Sequence, residues 1–315
     1  MIGALARATF SLLAGSSLLK KAASRYGLRR TGGIARRFVA GETVAEAIAA
    51  VRQLEARGLL ATIDLLGESV TSSEQAVAAA REYVALIETA AAAGVASRSL
   101  SVKLTQIGLA VDRATAIDNL RRIVDAGVEP GFFVRVDMEG SAWTENTLDT
   151  VETLWSIGYR NVGVAIQAAL RRSPADVERL NALGMSIRLV KGAYREPRGV
   201  AHRRREDVER AFAELMETLL VGGHRPAIAT HDPRLIERTR QLADARGIAR
   251  DAFEFELLYG IRRDLQHSLV RDGYQVRVYL PYGTEWYPYF MRRLGERPAN
   301  VAFVLKSLVS EESVP

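Results

Sequence analysis

The run TEWYPYFMRRLGE sets Tyr289, Arg292, Arg293 and Glu296 at i, i+3, i+4 and i+7, the spacing of one helix face, and that face is polar. Two adjacent guanidinium groups can hold a carboxylate through charge-assisted, bidentate hydrogen bonds, and Glu296 is spaced to fix their rotamers. Trp286, Phe290 and Leu294 form a separate apolar face that can pack on a core. A second run, RLVKGAY, places Arg188 and Lys191 beside Gly192, so positive charge stands where a backbone without Cβ lets a ligand come close. Further polar residues end short apolar runs: Lys103, Asp137, Gln167, Thr230, His231, Glu256 and Tyr279. Lys103 and Asp137 can pair with one another, and His231 can serve the helix opened by Asp232 and Pro233.

These side chains need elements to hold them, and eight short apolar runs supply the pattern. They are Leu59 to Gly67, Ser99 to Gly108, Phe132 to Gly140, Asn161 to Ala168, Ser186 to Tyr194, Pro226 to Asp232, Phe253 to Gly260 and Gln275 to Gly283. Between them, SSEQAVAAAREYVALIETAAAAG, RATAIDNLRRIVDAG, PADVERLNALG, EDVERAFAELMETLLVGG and DPRLIERTRQLADARG show helical spacing, each with glycine expected just past its last turn. Strands alternating with helices imply a parallel sheet, and eight units in about 250 residues match a (β/α)₈ barrel. A doubly wound open sheet is the alternative, but no G-x-G-x-x-G fingerprint occurs. In a barrel the polar strand ends converge on one mouth, and so many charges can be buried there only if they pair with one another or with a ligand.

The segment after the eighth strand is unusual for an outer helix, whose inward face should be Ile, Leu and Val. It is read instead as a lid across the mouth, with Thr284 as N-cap, Glu285 at the positive helix end and Pro288 among the first N–H groups. The fold expected is therefore a distorted (β/α)₈ TIM barrel over residues 56–315, with the last barrel helix over its mouth and an N-terminal helical extension over residues 1–55.

Composition sets the limits. The 315 residues are 48% hydrophobic, enough for a large core, and the absence of cysteine excludes disulfides, thiolate nucleophiles and thiolate metal sites. The four histidines, His202, His224, His231 and His267, lack metal-ligand spacing, so no metal site is expected. The net charge of +6 is concentrated in Met1 to Gly41, which holds eight arginines and lysines and no acid. This arm suits a peripheral contact with an anionic membrane surface, while Arg7 interrupts its apolar stretch and argues against a spanning helix or signal peptide.

The run YLPYGTEWYPYFMRRLGERPAN resembles the C-terminal signature of proline dehydrogenases. SVKL around Lys103, VDMEGS around Asp137, VAIQ around Gln167, RLVKGAY, ATH at Thr230 and His231, and ELLYG around Leu258 are similar to the family's motifs in the family's order. The resemblance implies a monofunctional, bacterial-type enzyme of the cytoplasm, peripheral at the inner face of the membrane. It would bind FAD non-covalently, oxidise L-proline to 1-pyrroline-5-carboxylate and pass electrons to a membrane quinone. Carried over, Arg292 and Arg293 would clamp the substrate carboxylate with Lys103, and Tyr279 and Leu258 would pack its ring. Asp137 would order Lys103 and the clamp. Met138, Gln167, Arg188, Val190, Lys191, Gly192, Ala193, Thr230 and His231 would line the flavin, with Arg188 tuning its electronics. Gly295 inside the helix and Arg297, where asparagine is common, depart from the pattern and bear on the tightness of the pocket. The length leaves no room for a fused aldehyde dehydrogenase, so a separate pyrroline-5-carboxylate dehydrogenase is the expected partner.

Two other readings follow from the residues. Lys191 or Lys103 could form a Schiff base with a small carbonyl substrate while Asp137 shuttles protons, as in a lyase or aldolase barrel. The basic arm could bind a nucleic acid or membrane surface without catalysis, an affinity that would fall steeply with salt; no nucleic-acid partner is expected on the family resemblance.

Overall fold

The computed structural model describes residues 34–67, 70–194 and 196–296, Ile34 and the last three by backbone alone. Eight parallel strands close into a barrel in sequence order. They are β1 (Leu60–Leu65), β2 (Ser99–Val102), β3 (Phe133–Val136), β4 (Val162–Gln167), β5 (Ile187–Val190), β6 (Ala227–Ala229), β7 (Glu254–Leu258) and β8 (Gln275–Tyr282). Closure comes from β8 pairing with β1 over its whole length, from Leu60 opposite Arg277 to Leu65 opposite Tyr282.

Nine α-helices follow in order among the described residues: α1 (Val44–Glu55), α2 (Ser73–Ala92), α3 (Arg113–Val128), α4 (Thr144–Ser156), α5 (Ser173–Ala182), α6 (Arg205–Gly222), α7 (Pro233–Arg246), α8 (Arg263–Arg271) and α9 (Trp286–Glu296). Short polar caps start several of them. Thr43 and Glu46 form a reciprocal capping box on α1, and Ser72, Asp112 and Asp232 each accept a backbone N–H at the heads of α2, α3 and α7. Gly247 in the left-handed region ends α7 as its position in the sequence predicts. Gly127 does not end α3. The helix continues to Val128, and the missing Cβ lets the returning chain pass close, since a Cβ at 127 would lie 3.2 Å from the Phe132 carbonyl oxygen.

The strand residues alternate between two environments. Ile63, Leu100, Val134, Val164, Leu189, Ile228, Phe255 and Val276 are buried in the apolar layer between strands and helices. Their neighbours point into the lumen, where polar groups meet across the barrel: Arg188 of β5 donates to Ser101 of β2 at 3.0 Å.

Helix α1 packs on β1 and β8 through Ala47, Ile48, Ala50, Val51 and Leu54. It fills the outer wall where an eighth barrel helix would stand, which frees α9 to lie elsewhere. Trp286, Tyr287, Tyr289 and Met291 of α9 cluster with Ala35, Phe38, Val39 and Leu66, and Ile261 packs on the same cluster. Leu66 and Ile261 follow β1 and β7, so α9 rests on the strand-end loops, at the mouth. Thr284 does not hold the N-cap place: the helix starts at Trp286, whose indole N–H donates to Glu42 Oε1 at 3.0 Å, and Thr284 lies in the preceding turn. No helix among the described residues is long and apolar enough to cross a membrane.

Candidate active site at the barrel mouth

The strand ends bring together residues far apart in the sequence. Lys103 Nζ donates to Asp64 Oδ1 at 2.9 Å, to Asp137 Oδ2 at 3.2 Å and to the Tyr279 hydroxyl at 3.2 Å, which uses all three of its N–H groups. Tyr279 in turn donates to Asp137 Oδ2 at 2.7 Å. The other Asp137 oxygen accepts from Arg188 Nη1 at 2.8 Å. Arg188 Nε stands 2.5 Å from Glu256 Oε2 in an ion pair that is not aligned as a hydrogen bond. Lys103 and Arg188 also lie 5.9 and 5.4 Å from the Tyr279 ring centroid, so the aromatic face adds to the stabilisation of both cations.

Burial decides how these groups titrate. For Lys103 burial works against the charge, but Asp64, Tyr279 and Asp137 outweigh it and hold the ammonium well above its ordinary value. A Schiff-base lysine needs the opposite shift, which argues against that role for Lys103. Burial raises Asp137 too, yet Lys103 and Arg188 pull its carboxyl below the usual range. Asp64 goes the other way: burial raises it, and the attraction of Lys103 does not fully compensate. Burial and the Asp137 charge raise the Tyr279 phenol.

Asp64 and Ser101 are not among the residues singled out from the sequence. The signal for Asp64 was an acid alone in the apolar run LATIDL, at a lumen-facing position of a buried strand. One turn deeper, Arg277 Nε donates to both oxygens of Glu254 at 2.8 and 3.0 Å. Arg135 donates to the carbonyl and hydroxyl of Ser186 at 2.6 and 3.1 Å, and burial with Arg188 nearby pushes its guanidinium down to about 10.

A second group lies to one side of the mouth, over β5 and β6. Lys191, Arg205, Glu206, Glu209, Thr230, His231, Asp232, Arg234 and Arg262 line a cavity of about 760 Å³. Lys191 Nζ reaches Asp232 Oδ2 at 3.2 Å and Glu209 Oε1 at 3.4 Å, and Arg234 bridges the same two carboxylates. His231 does not cap α7, which Asp232 does; its Nε2 accepts the Leu258 N–H at 2.9 Å and ties β6 to β7. Thr230 Oγ1 accepts the Asp232 N–H. Gln167 is buried and donates to the Glu139 carbonyl at 2.8 Å, beside buried Met138. Val190 is half-buried, and Gly192 and Ala193 are exposed at the rim.

The arginine pair divides. Arg293 is buried with its guanidinium 5.0 Å from the Tyr289 ring, its i−4 neighbour, while Arg292 is exposed. Consecutive helical residues point about 100° apart, so the two cannot share a face fully. The Glu296 side chain, Arg297 and the arm before Ile34 lie outside the described residues.

A family model described as proline dehydrogenase matches residues 47–306. The chain is 39% identical over 302 residues to proline dehydrogenase 2 of Bacillus subtilis (strain 168), spanning 96% of this chain and 98% of that protein. It is 42% identical over 280 residues to the proline dehydrogenase of Deinococcus radiodurans, spanning 88% and 90% of the two. Among solved structures it is similar to proline utilization A (PutA) from Bdellovibrio bacteriovorus inactivated by N-propargylglycine, with TM-score 0.79 and 27% identity. That likeness covers 83% of this chain but 32% of the larger PutA chain. With a match of this extent, a closed barrel and the polar mouth just described, the chain belongs to the proline dehydrogenase family.

Proposed function

We propose that the chain oxidises L-proline to 1-pyrroline-5-carboxylate with non-covalently bound FAD as the immediate acceptor, the electrons then leaving to a membrane quinone. The observation that carries this reading is the paired cluster of Lys103, Asp137, Arg188 and Tyr279 at the mouth, joined to relatives named for the same reaction. Oxidation of an amine by hydride removal needs no nucleophile and no metal from the protein, only orientation and a complementary field.

Two features of the chain fit the flavin. Arg188 Nη2 is buried without a hydrogen-bond partner, so a ligand acceptor above it would satisfy a donor that the protein leaves open. Gly192 has φ +107°, and a Cβ there would stand 3.1 Å from Gln167 Oε1, so the glycine keeps the rim beside Gln167 clear. In this reading Met138, Gln167, Arg188, Val190, Gly192 and Ala193 would line the cofactor at the mouth. Lys191, Thr230 and His231, which line the side cavity, would offer it charge and hydrogen bonds there. When bound, FAD supplies the two-electron acceptor that no side chain provides.

Arg292 and Arg293 would take the substrate carboxylate, with Tyr279 and Leu258 against the ring. Lys103 reaches that carboxylate only by giving up one of its three present bonds, so it is a secondary anchor, and Asp137 keeps it oriented. Closure of α9 would exclude water. The carboxylate supplies the test. L-Proline should be oxidised with a soluble dye as acceptor, whereas pyrrolidine, which lacks the carboxylate, should fall by two or more orders of magnitude in kcat/KM; equal rates would sink the clamp. The N-terminal arm would add a peripheral membrane contact, so its deletion should lower sedimentation with anionic liposomes and leave dye turnover intact. The product is a cyclic imine in equilibrium with an aldehyde, which a separate pyrroline-5-carboxylate dehydrogenase would consume.

A further inference from the structure

From the mouth inward, the barrel pairs four cations with four carboxylates: Lys103, Arg135, Arg188 and Arg277 face Asp64, Asp137, Glu254 and Glu256. Of these, Arg135, Arg277, Glu254 and Glu256 have no part in the proposed reaction. Most have orderly partners; the pair of Arg188 and Glu256 does not. Each side chain is 3% exposed, and their ion pair is close at 2.5 Å, yet Arg188 Nε, Arg188 Nη2 and Glu256 Oε1 all lack aligned hydrogen bonds. Buried polar groups left this way in one pair call for an explanation.

Glu256 faces Arg188 from β5, Arg135 from β3, Arg277 from β8 and Glu254 two residues back on its own strand. Both Glu254 oxygens accept from Arg277 Nε, which helps hold that carboxylate in its charged form. Arg188 is shared: Asp137 and Ser101 hold one nitrogen from above, and Glu256 stands against the other side. The charge that Arg188 shows to anything bound at the mouth therefore depends on whether Glu256 carries a proton.

We propose that Glu256 is a positioning residue that sets the charge of Arg188: it takes a proton from solvent when negative charge develops above Arg188 and releases it when that charge leaves. This rests on the flavin reading above. The proton balance is simple, since one carboxylate oxygen gains one O–H bond and the interior gains one unit of positive charge. Burial, with the Glu254 charge adding to it, raises the Glu256 carboxyl above its ordinary value even against Arg188, which favours the protonated form.

The experiment compares the bound-flavin midpoint potential of the unaltered protein and of E256Q across the whole pH range in which both stay folded. Glutamine mimics the protonated carboxyl, so the two profiles should coincide at the acid end. Above it the unaltered protein should fall below E256Q, by about tenfold in the oxidised-to-reduced equilibrium, or ~30 mV for a two-electron couple. Glu254→Gln removes a neighbouring negative charge and should move the separation to lower pH. Profiles that superimpose throughout, with only a lower melting temperature for E256Q, would make Glu256 a packing residue and overturn the proposal. A constant offset at every pH would also overturn it, because the glutamate would then be ionised throughout.

A readout without cofactor keeps the inference separate from the flavin reading. Infrared difference spectra of the protein alone should show a protonated-carboxyl band that titrates and is missing in E256Q. No such band would overturn the proton exchange, whether or not flavin binds, whereas failure to bind FAD with the band present would strike only the flavin reading.

Discussion

Two charged clusters stand a few residues apart in this barrel, and they are built from the same side chains. In the lumen, Lys103 and Arg188 are held by Asp64, Asp137 and Glu256, with Asp64 wholly buried. At the side cavity, Lys191 and Arg234 share Asp232 and Glu209, and Arg234 is 69% exposed. In the lumen each partner comes from a different strand, so the backbone fixes the geometry. At the side cavity the partners belong to α6, α7 and the loops before them, and the cations reach water, Lys191 at 30% and Arg234 at 69%. The difference is one of solvent: a buried pair costs a great deal to break, and an exposed pair very little. The lumen is thus suited to hold a fixed field, and the cavity to exchange its internal ion pairs for a ligand's charges.

The largest test of that contrast is Lys103→Met. It leaves Asp64 and Asp137 facing one another without their shared cation, and removing one member of such a buried set costs about 3–5 kcal/mol. Denaturant unfolding should show it, and a loss no larger than that of a surface pair would erase the distinction between the clusters. Next comes Tyr279→Phe, which removes a hydroxyl that donates to Asp137 and accepts from Lys103, for about 1–2 kcal/mol in stability. Proline turnover should fall further than stability, because the same hydroxyl orders both ends of the cluster.

Asp232→Asn is smaller, and its pH dependence carries the information. Its pairing with Arg234 and Lys191, against the effect of burial, holds the Asp232 carboxyl down to about 2 from an ordinary 3.8. A depressed carboxylate stabilises the fold above the ordinary value and loses that contribution as pH falls through the folded value. The difference in melting temperature between D232N and the unaltered protein should therefore be present at neutral pH and shrink toward pH 2. A difference unchanged down to that pH would mean the side chain acts only as a neutral helix cap. Smallest of all, Arg234→Ala should lower the melting temperature less than Asp232→Asn does, since water takes over the partners of an exposed guanidinium.

The sequence made the barrel legible because each strand is a short apolar run followed by helical spacing, with a turn residue between. The place of α1 was hidden. Its apolar face says that it packs, but only the closed wall shows that it takes the eighth outer position and leaves α9 for the mouth. Lys103, Asp137, Arg188, Glu256 and Tyr279 were visible as polar residues ending apolar strands. Asp64 was not, since one acid within LATIDL reads as an exception until the lumen brings Lys103 beside it. Contacts such as Arg188 to Ser101 join residues 87 positions apart, and no local spacing encodes them. The arginine pair shows the converse: adjacent letters suggested one function, and the helix turned one side chain inward over Tyr289 and the other outward.

The most direct test of the central claim is the absorption spectrum of the purified protein, supplied with FAD, before and after anaerobic addition of L-proline. Bound-flavin bands that bleach on addition are the predicted result. Bands that stay oxidised, or a protein that takes up no FAD, would contradict the account; in the latter case, borohydride trapping of a carbonyl compound on Lys191 would put the Schiff-base reading in its place.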